Sequence, residues 1–137
     1  GLDIPRNSSA QSAIGVALCE FDAGHDERTR RDTIISKARP GLSLMYMKGH
    51  IMLYLGSIDG IPYAIHDTWA FRRKIAGKDT PLLINKVTVS DLSLGQGSAK
   101  GSLLERLKSV RLPCGPTTDS RDDEFDHPFP KRYNKQL

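Results

Sequence analysis

The sequence predicts an α+β domain, an antiparallel β-sheet with an N-terminal helix packed on it and a short C-terminal helix. Three observations carry this expectation. Residues 50–68 hold two apolar, β-prone runs on either side of Asp59-Gly60, a residue pair typical of hairpin turns. Ala10, Ala13, Ile14, Ala17, Leu18 and Phe21 recur at helical spacing across 8–21, with Ser8 or Ser9 as N-cap. Ser102-Leu103-Leu104-Glu105 has the form of a capping box, and Leu103, Leu104, Leu107 and Val110 supply the buried stripe behind it.

In the first helix Gly15 is the weak position. Cys19 falls late in that helix, where the dipole opposes a thiolate, so it reads as a small hydrophobe rather than a nucleophile. Residues 22–39 mix Arg28, Arg30, Arg31, Lys37 and Arg39 with acids and read as a solvated connection holding a short Thr33-Ile34-Ile35 strand. No aromatic alternates with these charges, as a stacking platform for single-stranded nucleic acid requires, and no nucleic-acid partner is expected.

A strand over 42–47 and a turn or bulge at Lys48-Gly49 lead into the hairpin. In its first run His50, Met52 and Tyr54 share one face, and Ile51, Leu53 and Leu55 the other. Both faces are apolar, which predicts a central strand covered on both sides. In the second run Ala64, His66 and Thr68 share a face, while Pro62 belongs at the strand's start because it cannot donate to the ladder. Beyond Trp69, the residues Gly77, Asp79 and Pro81 mark a loop, and 82–84 and 87–89 give further strand. Residues 1–113 form the domain, and 114–137 read as a polar tail with Phe125 and Phe129 as docking points.

At 137 residues the chain can bury a core without disulfides or metals. Lys+Arg exceed Asp+Glu by 20 − 16 = 4, a modest balance that favours anionic partners such as wall polymer, lipid surface or nucleic acid without choosing among them. No apolar run reaches the ~18 residues of a membrane span. The chain opens on Gly1-Leu2-Asp3, without Met or signal peptide, and reads as a fragment or a processed chain. Cys19 and Cys114 make no disulfide framework, no metal-ligand spacing joins them, and no cofactor is expected.

Turn length decides whether the two histidines of the hairpin can meet. A two-residue loop at Asp59-Gly60 pairs Ile58 with Ile61 and sends His50 and His66 to opposite faces. A three-residue loop with Gly60 left-handed pairs Ser57 with Ile61, and His66 then sits opposite Met52, on the face of His50. Spacing alone permits either. The shared face is the arrangement a joint site requires, with Gly60 at positive φ.

Leu2-Asp3-Ile4-Pro5-Arg6-Asn7-Ser8-Ser9-Ala10-Gln11, then Pro40-Gly41, Gly49-His50, Tyr54-Leu55-Gly56 and Ile65-His66, follow one another in an order and spacing that resembles the NlpC/P60 cysteine peptidases. The resemblance runs from residue 1 to about residue 112. It implies a papain-like core, with His50 matching the catalytic histidine and His66 the third polar residue that orients it. The family's nucleophile opens a helix upstream of the segment matching Pro5-Arg6, in a part absent from these residues, and its Pro-Gly-Asp reads Pro40-Gly41-Leu42. The function implied is hydrolysis of amide bonds in peptidoglycan stem peptides at the cell envelope or outside the cell. Trp69 follows the second histidine strand closely enough to wall a substrate groove, with Tyr54 as a second substrate-binding residue, although plain core packing is the favoured reading of Trp69. This chain alone is expected to be inactive, its partner being the missing N-terminal part. Two alternatives stand beside it: a non-catalytic wall-binding or scaffold domain, and a metal site of His50, His66 and Asp67, weakened by neighbouring residues pointing opposite ways.

Overall fold

Six antiparallel strands, in the order β1-β6-β2-β3-β4-β5, form the sheet of a computed structural model that describes residues 4–114. The strands are β1 (Val16–Glu20), β2 (Leu44–Met47), β3 (His50–Ile58), β4 (Ile61–Ile75), β5 (Lys78–Asp91) and β6 (Ser109–Leu112). Three short helices accompany them: α1 (Ser8–Gln11), α2 (Glu27–Lys37) and α3 (Leu103–Arg106). The α+β expectation holds in this form. The expected tail after Cys114 lies outside the described residues. No described helix is long and apolar enough to cross a membrane.

The N-terminal helix over 8–21 does not form. Only α1 is helical, held by Asn7 Oδ1 accepting from Ala10 N at 2.7 Å, and it buries no residue. The helix ends at Gln11 with Ser12 as its C-cap, and Gly15 leads into β1. It sits at φ +65, and a Cβ there would stand 1.7 Å from the Leu112 carbonyl oxygen, so only glycine lets the chain pass so close to β6. Val16–Glu20 then pairs with β6, and Cys19 is a half-buried strand residue.

The polar connection is a helix rather than a loop with a strand. Asp26 caps α2, its Oδ1 accepting from Thr29 N at 2.7 Å. Only Arg30 and Ile34 of this helix are buried, one turn apart. That stripe is too narrow to register as apolar periodicity, and its first member is charged. Arg30 is 4% exposed and donates only to backbone carbonyls: Nε to His25 at 2.8 Å, Nη1 to Leu107 at 2.7 Å and Leu104 at 3.4 Å, Nη2 to Asp22. Its guanidinium also lies over the Phe21 ring, 5.2 Å from the centroid.

At the C-terminal side the capping box is as expected: Ser102 Oγ accepts from Glu105 N at 3.1 Å, and Glu105 Oε2 accepts from Ser102 N at 2.5 Å. The helix is shorter than the stripe suggested. Leu107 turns extended, and Val110 reaches the core from β6 instead. This strand was not foreseen, and it fills the gap between β1 and β2.

The core lies on one face of the sheet. Met45, Met47, Met52, Tyr54, Ala64 and Val110 meet Ile34 of α2 together with Leu92, Leu103, Leu104 and Leu107. β3 is interior to the sheet, between β2 and β4, but it is not covered equally on both sides. Ile51 and Leu53 are half-buried and Leu55 is exposed.

β4 and β5 make a long hairpin whose turn, Ala76-Gly77, has φ of 49 and 79, the paired left-handed conformation of a tight two-residue loop. The expected loop over 77–81 is therefore this turn followed by strand. The two short strands at 82–84 and 87–89 are one strand, because Asn85 at φ 50 absorbs the break. The register passes there from Thr68↔Lys86 to Ala70↔Leu83.

Candidate active site

The β3–β4 turn is the two-residue form. Asp59 and Gly60 have φ of 50 and 74, and Ile58 pairs with Ile61. By that turn alone the histidines would face opposite ways, and the expected three-residue loop is corrected. A β-bulge restores the parity. Tyr54 pairs with Ala64 but Gly56 pairs with Tyr63, so Leu55 is an extra residue on β3. Gly56 takes φ 127 there, a conformation that favours glycine. Past the bulge Leu53 pairs with Ile65, which carries His66 opposite Met52 and onto the face of His50.

The two rings meet edge to face. His50 Nε2 lies 2.9 Å from His66 Nδ1, with ring centroids 5.0 Å apart and planes at 76°. His66 Nε2 lies 2.9 Å from Ser90 Oγ on β5, and Thr68 Oγ1 also reaches His66 Nδ1. Two proton arrangements fit these contacts, because the Ser90 hydroxyl can donate to His66 Nε2 or accept from it. In the one that frees a base, His66 carries its proton on Nε2 and donates to Ser90, and its Nδ1 accepts from the Nε2–H of His50. The lone pair of His50 Nδ1 is then left unprotonated, and that nitrogen has no hydrogen bond among the described residues. An imidazole held by one nitrogen with the other free is poised to accept a proton.

Burial pushes the His50 pKa down, with the Arg106 charge adding to it and Asp67 opposing. His66 is 4% exposed, and burial followed by the charge of His50 lowers its pKa to about 4. Both rings are therefore neutral at pH 7. The sign for stability follows: below about 6.5 the unfolded chain takes up protons that folded His66 refuses until about pH 4. Stability is fully present above pH 6.5 and is lost as the pH falls through this window, by on the order of 2 kcal/mol after allowing for solvent near the site. Urea midpoints at pH 7 and 4.5 check this. His66→Gln is expected to flatten the difference, and an unchanged slope in that variant would contradict the assignment.

A groove of about 430 Å³ opens beside the pair, lined by His50, Trp69, Phe71 and Leu94 among others. Trp69 is 69% exposed on this wall, so the alternative of plain core packing does not apply to it. Tyr54 is not at the groove. It is 2% exposed inside the core, where β3 points it together with Met52, and no ligand reaches it there. Thr68 and Ser90, the hydroxyls around His66, and Arg106 of the groove were missed by the sequence reading. Thr68 shares His66's face by simple alternation, a signal that was present in the sequence. Ser90 depends on β5 register, which was not.

Neither cysteine of the described residues is at the pair. Cys19 is on β1 at the far side of the sheet order, and burial pushes its thiol pKa up, Lys37 and a backbone hydrogen bond opposing. Cys114 is exposed after β6. No group of three or more His, Cys, Asp and Glu among the described residues is arranged to hold a metal ion. A scan against protein-family profiles matches none of them to this chain, and no curated protein matches it.

Proposed function

We propose that this chain is the histidine-bearing part of a papain-like cysteine peptidase of the NlpC/P60 type, acting on peptidoglycan stem peptides. The observation that carries the reading is the 2.9 Å contact between His50 Nε2 and His66 Nδ1. His50 is the base, its free Nδ1 taking the thiol proton, and His66 fixes the ring's tautomer and orientation. The nucleophilic cysteine belongs to a segment outside this sequence, because a thiol must stand within hydrogen-bond reach of its base and neither Cys19 nor Cys114 does. The site of action is the cell envelope or the medium outside it.

The experiment is amine release from purified peptidoglycan by protein carrying both parts. Hydrolysis blocked by thiol alkylation supports the reading, and hydrolysis insensitive to alkylation overturns it. A second reading, a wall-binding domain without catalysis, is favoured by one observation: the exposed Trp69 stands in a groove with no cysteine among its lining residues. The two readings share a prediction. Trp69→Ala is expected to weaken binding of wall fragments about ten-fold while moving Tm by less than about 2 °C, since exposed side chains contribute little to folding. Calorimetry of the variant with a stem tripeptide checks both halves, and a loss of several degrees with unchanged binding would contradict the groove role.

A further inference from the structure

Four cationic side chains, Lys48, Arg72, Lys100 and Arg106, line the groove against one carboxylate, Asp67. Arg72 is already paired, its Nη1 3.2 Å from Asp79 Oδ2. Lys48 and Lys100 are exposed and hydrated. Arg106 differs from all three. It is half-buried at the last position of α3, and it makes neither an ion pair nor a side-chain hydrogen bond with any described residue. A guanidinium partly withdrawn from water with its donors unused invites an acceptor, and its planar fork matches a carboxylate with two parallel hydrogen bonds.

Its position says what the acceptor would be part of. Arg106 lines the same groove as His50, Trp69 and Phe71. It is near enough to His50 for its charge to lower that ring's pKa. A ligand filling the groove therefore meets a base, two aromatic surfaces and an unmatched cation together. We propose that Arg106 is the specificity residue of this groove, receiving a free carboxylate of a peptide whose amide bond lies at His50. This rests on the peptide reading above and adds to it the charge the substrate must carry. Lys48 and Lys100 raise the local concentration of such a ligand without fixing its geometry.

Trp69 is the single tryptophan of the chain, so its fluorescence reports the groove directly. The experiment titrates the 137-residue chain with L-alanyl-γ-D-glutamyl-L-lysine, as the free acid and as the form with both carboxyls amidated. The free acid is expected to bind at least about ten-fold more tightly than the amide, the scale of a charge-assisted bidentate pair. Arg106→Gln removes that preference and Arg106→Lys keeps part of it, while the urea midpoint of each variant shows that the fold is intact. In the free protein Arg106→Gln also raises the His50 titration midpoint, followed by proton NMR. Equal binding of acid and amide, or a preference that survives Arg106→Gln, overturns the assignment to Arg106 while leaving the peptide reading standing. Binding of neither peptide, or of a single-stranded oligonucleotide in their place, overturns both.

Discussion

Supplying a cysteine-bearing helix to this chain, fused ahead of it or added as a separate piece, is expected to create amide hydrolysis, and the chain alone is expected to show none. In the proposed reading His50 is the base and His66 its orienting partner, and no thiol of the described residues stands beside them. Histidines without a nucleophile can at best assist water, which forgoes the covalent step that makes amide cleavage fast. In the completed protein His50→Ala is expected to cost at least about 10³-fold in turnover, since proton abstraction from the thiol is lost. His66→Ala should cost less, about 10²-fold, because the base remains but its tautomer and angle are no longer held. The assay is release of free amines from purified peptidoglycan or a γ-glutamyl stem peptide. Turnover by the 137-residue chain alone, lost on Cys19→Ser, would place the nucleophile on β1 and contradict this account.

Arg30→Met is expected to be the most damaging single change to the fold itself. The guanidinium gathers the carbonyls of Asp22, His25, Leu104 and Leu107, joining the chain before α2 to the end of α3. Methionine fills similar volume but leaves these acceptors without a donor in a region where Arg30 is 4% exposed. Unsatisfied buried acceptors cost about 1–3 kcal/mol each before relaxation, so a loss of roughly 3–5 kcal/mol and a fall in Tm of about 10 °C or more are expected. Arg30→Lys should recover little, because one ammonium cannot span the same fork. Thermal unfolding of both variants checks this, and a shift under about 2 °C for either would contradict the clamp.

Much of what positions the histidines was legible, and the route by which they meet was not. Alternation along β3 and β4 placed His50 with Met52 and Tyr54, and His66 with Ala64 and Thr68, on the faces they occupy. Asp59-Gly60 was recognisable as a turn. What could not be read was the compensation between a two-residue turn and an extra residue at Leu55, because a bulge changes parity without any run of turn residues to announce it. Gly56 is its one local signal, and it falls within the Tyr54-Leu55-Gly56 segment of the family resemblance.

The errors elsewhere share one cause, tertiary pairing overriding local pattern. Residues 16–20 carry a passable helical stripe, yet β6 offers them a strand partner 89 or more positions away. α2 was read as a loop because its inward face is Arg30 and Ile34, and a charged residue was not counted as core. Asn85 and Ala76-Gly77 likewise look like breaks in local pattern. Each takes a left-handed conformation inside one hairpin rather than marking its end.

The most direct test of the central claim is the protonation of the two rings, read by long-range proton–nitrogen NMR correlation on the uniformly labelled chain at pH 7. The account predicts His50 protonated on Nε2 with Nδ1 bare, and His66 protonated on Nε2, the one of the two arrangements compatible with the contacts that makes His50 a base. It further predicts that His66 stays neutral down to about pH 4. A His50 protonated on Nδ1, or two rings titrating independently at ordinary imidazole values, would contradict it.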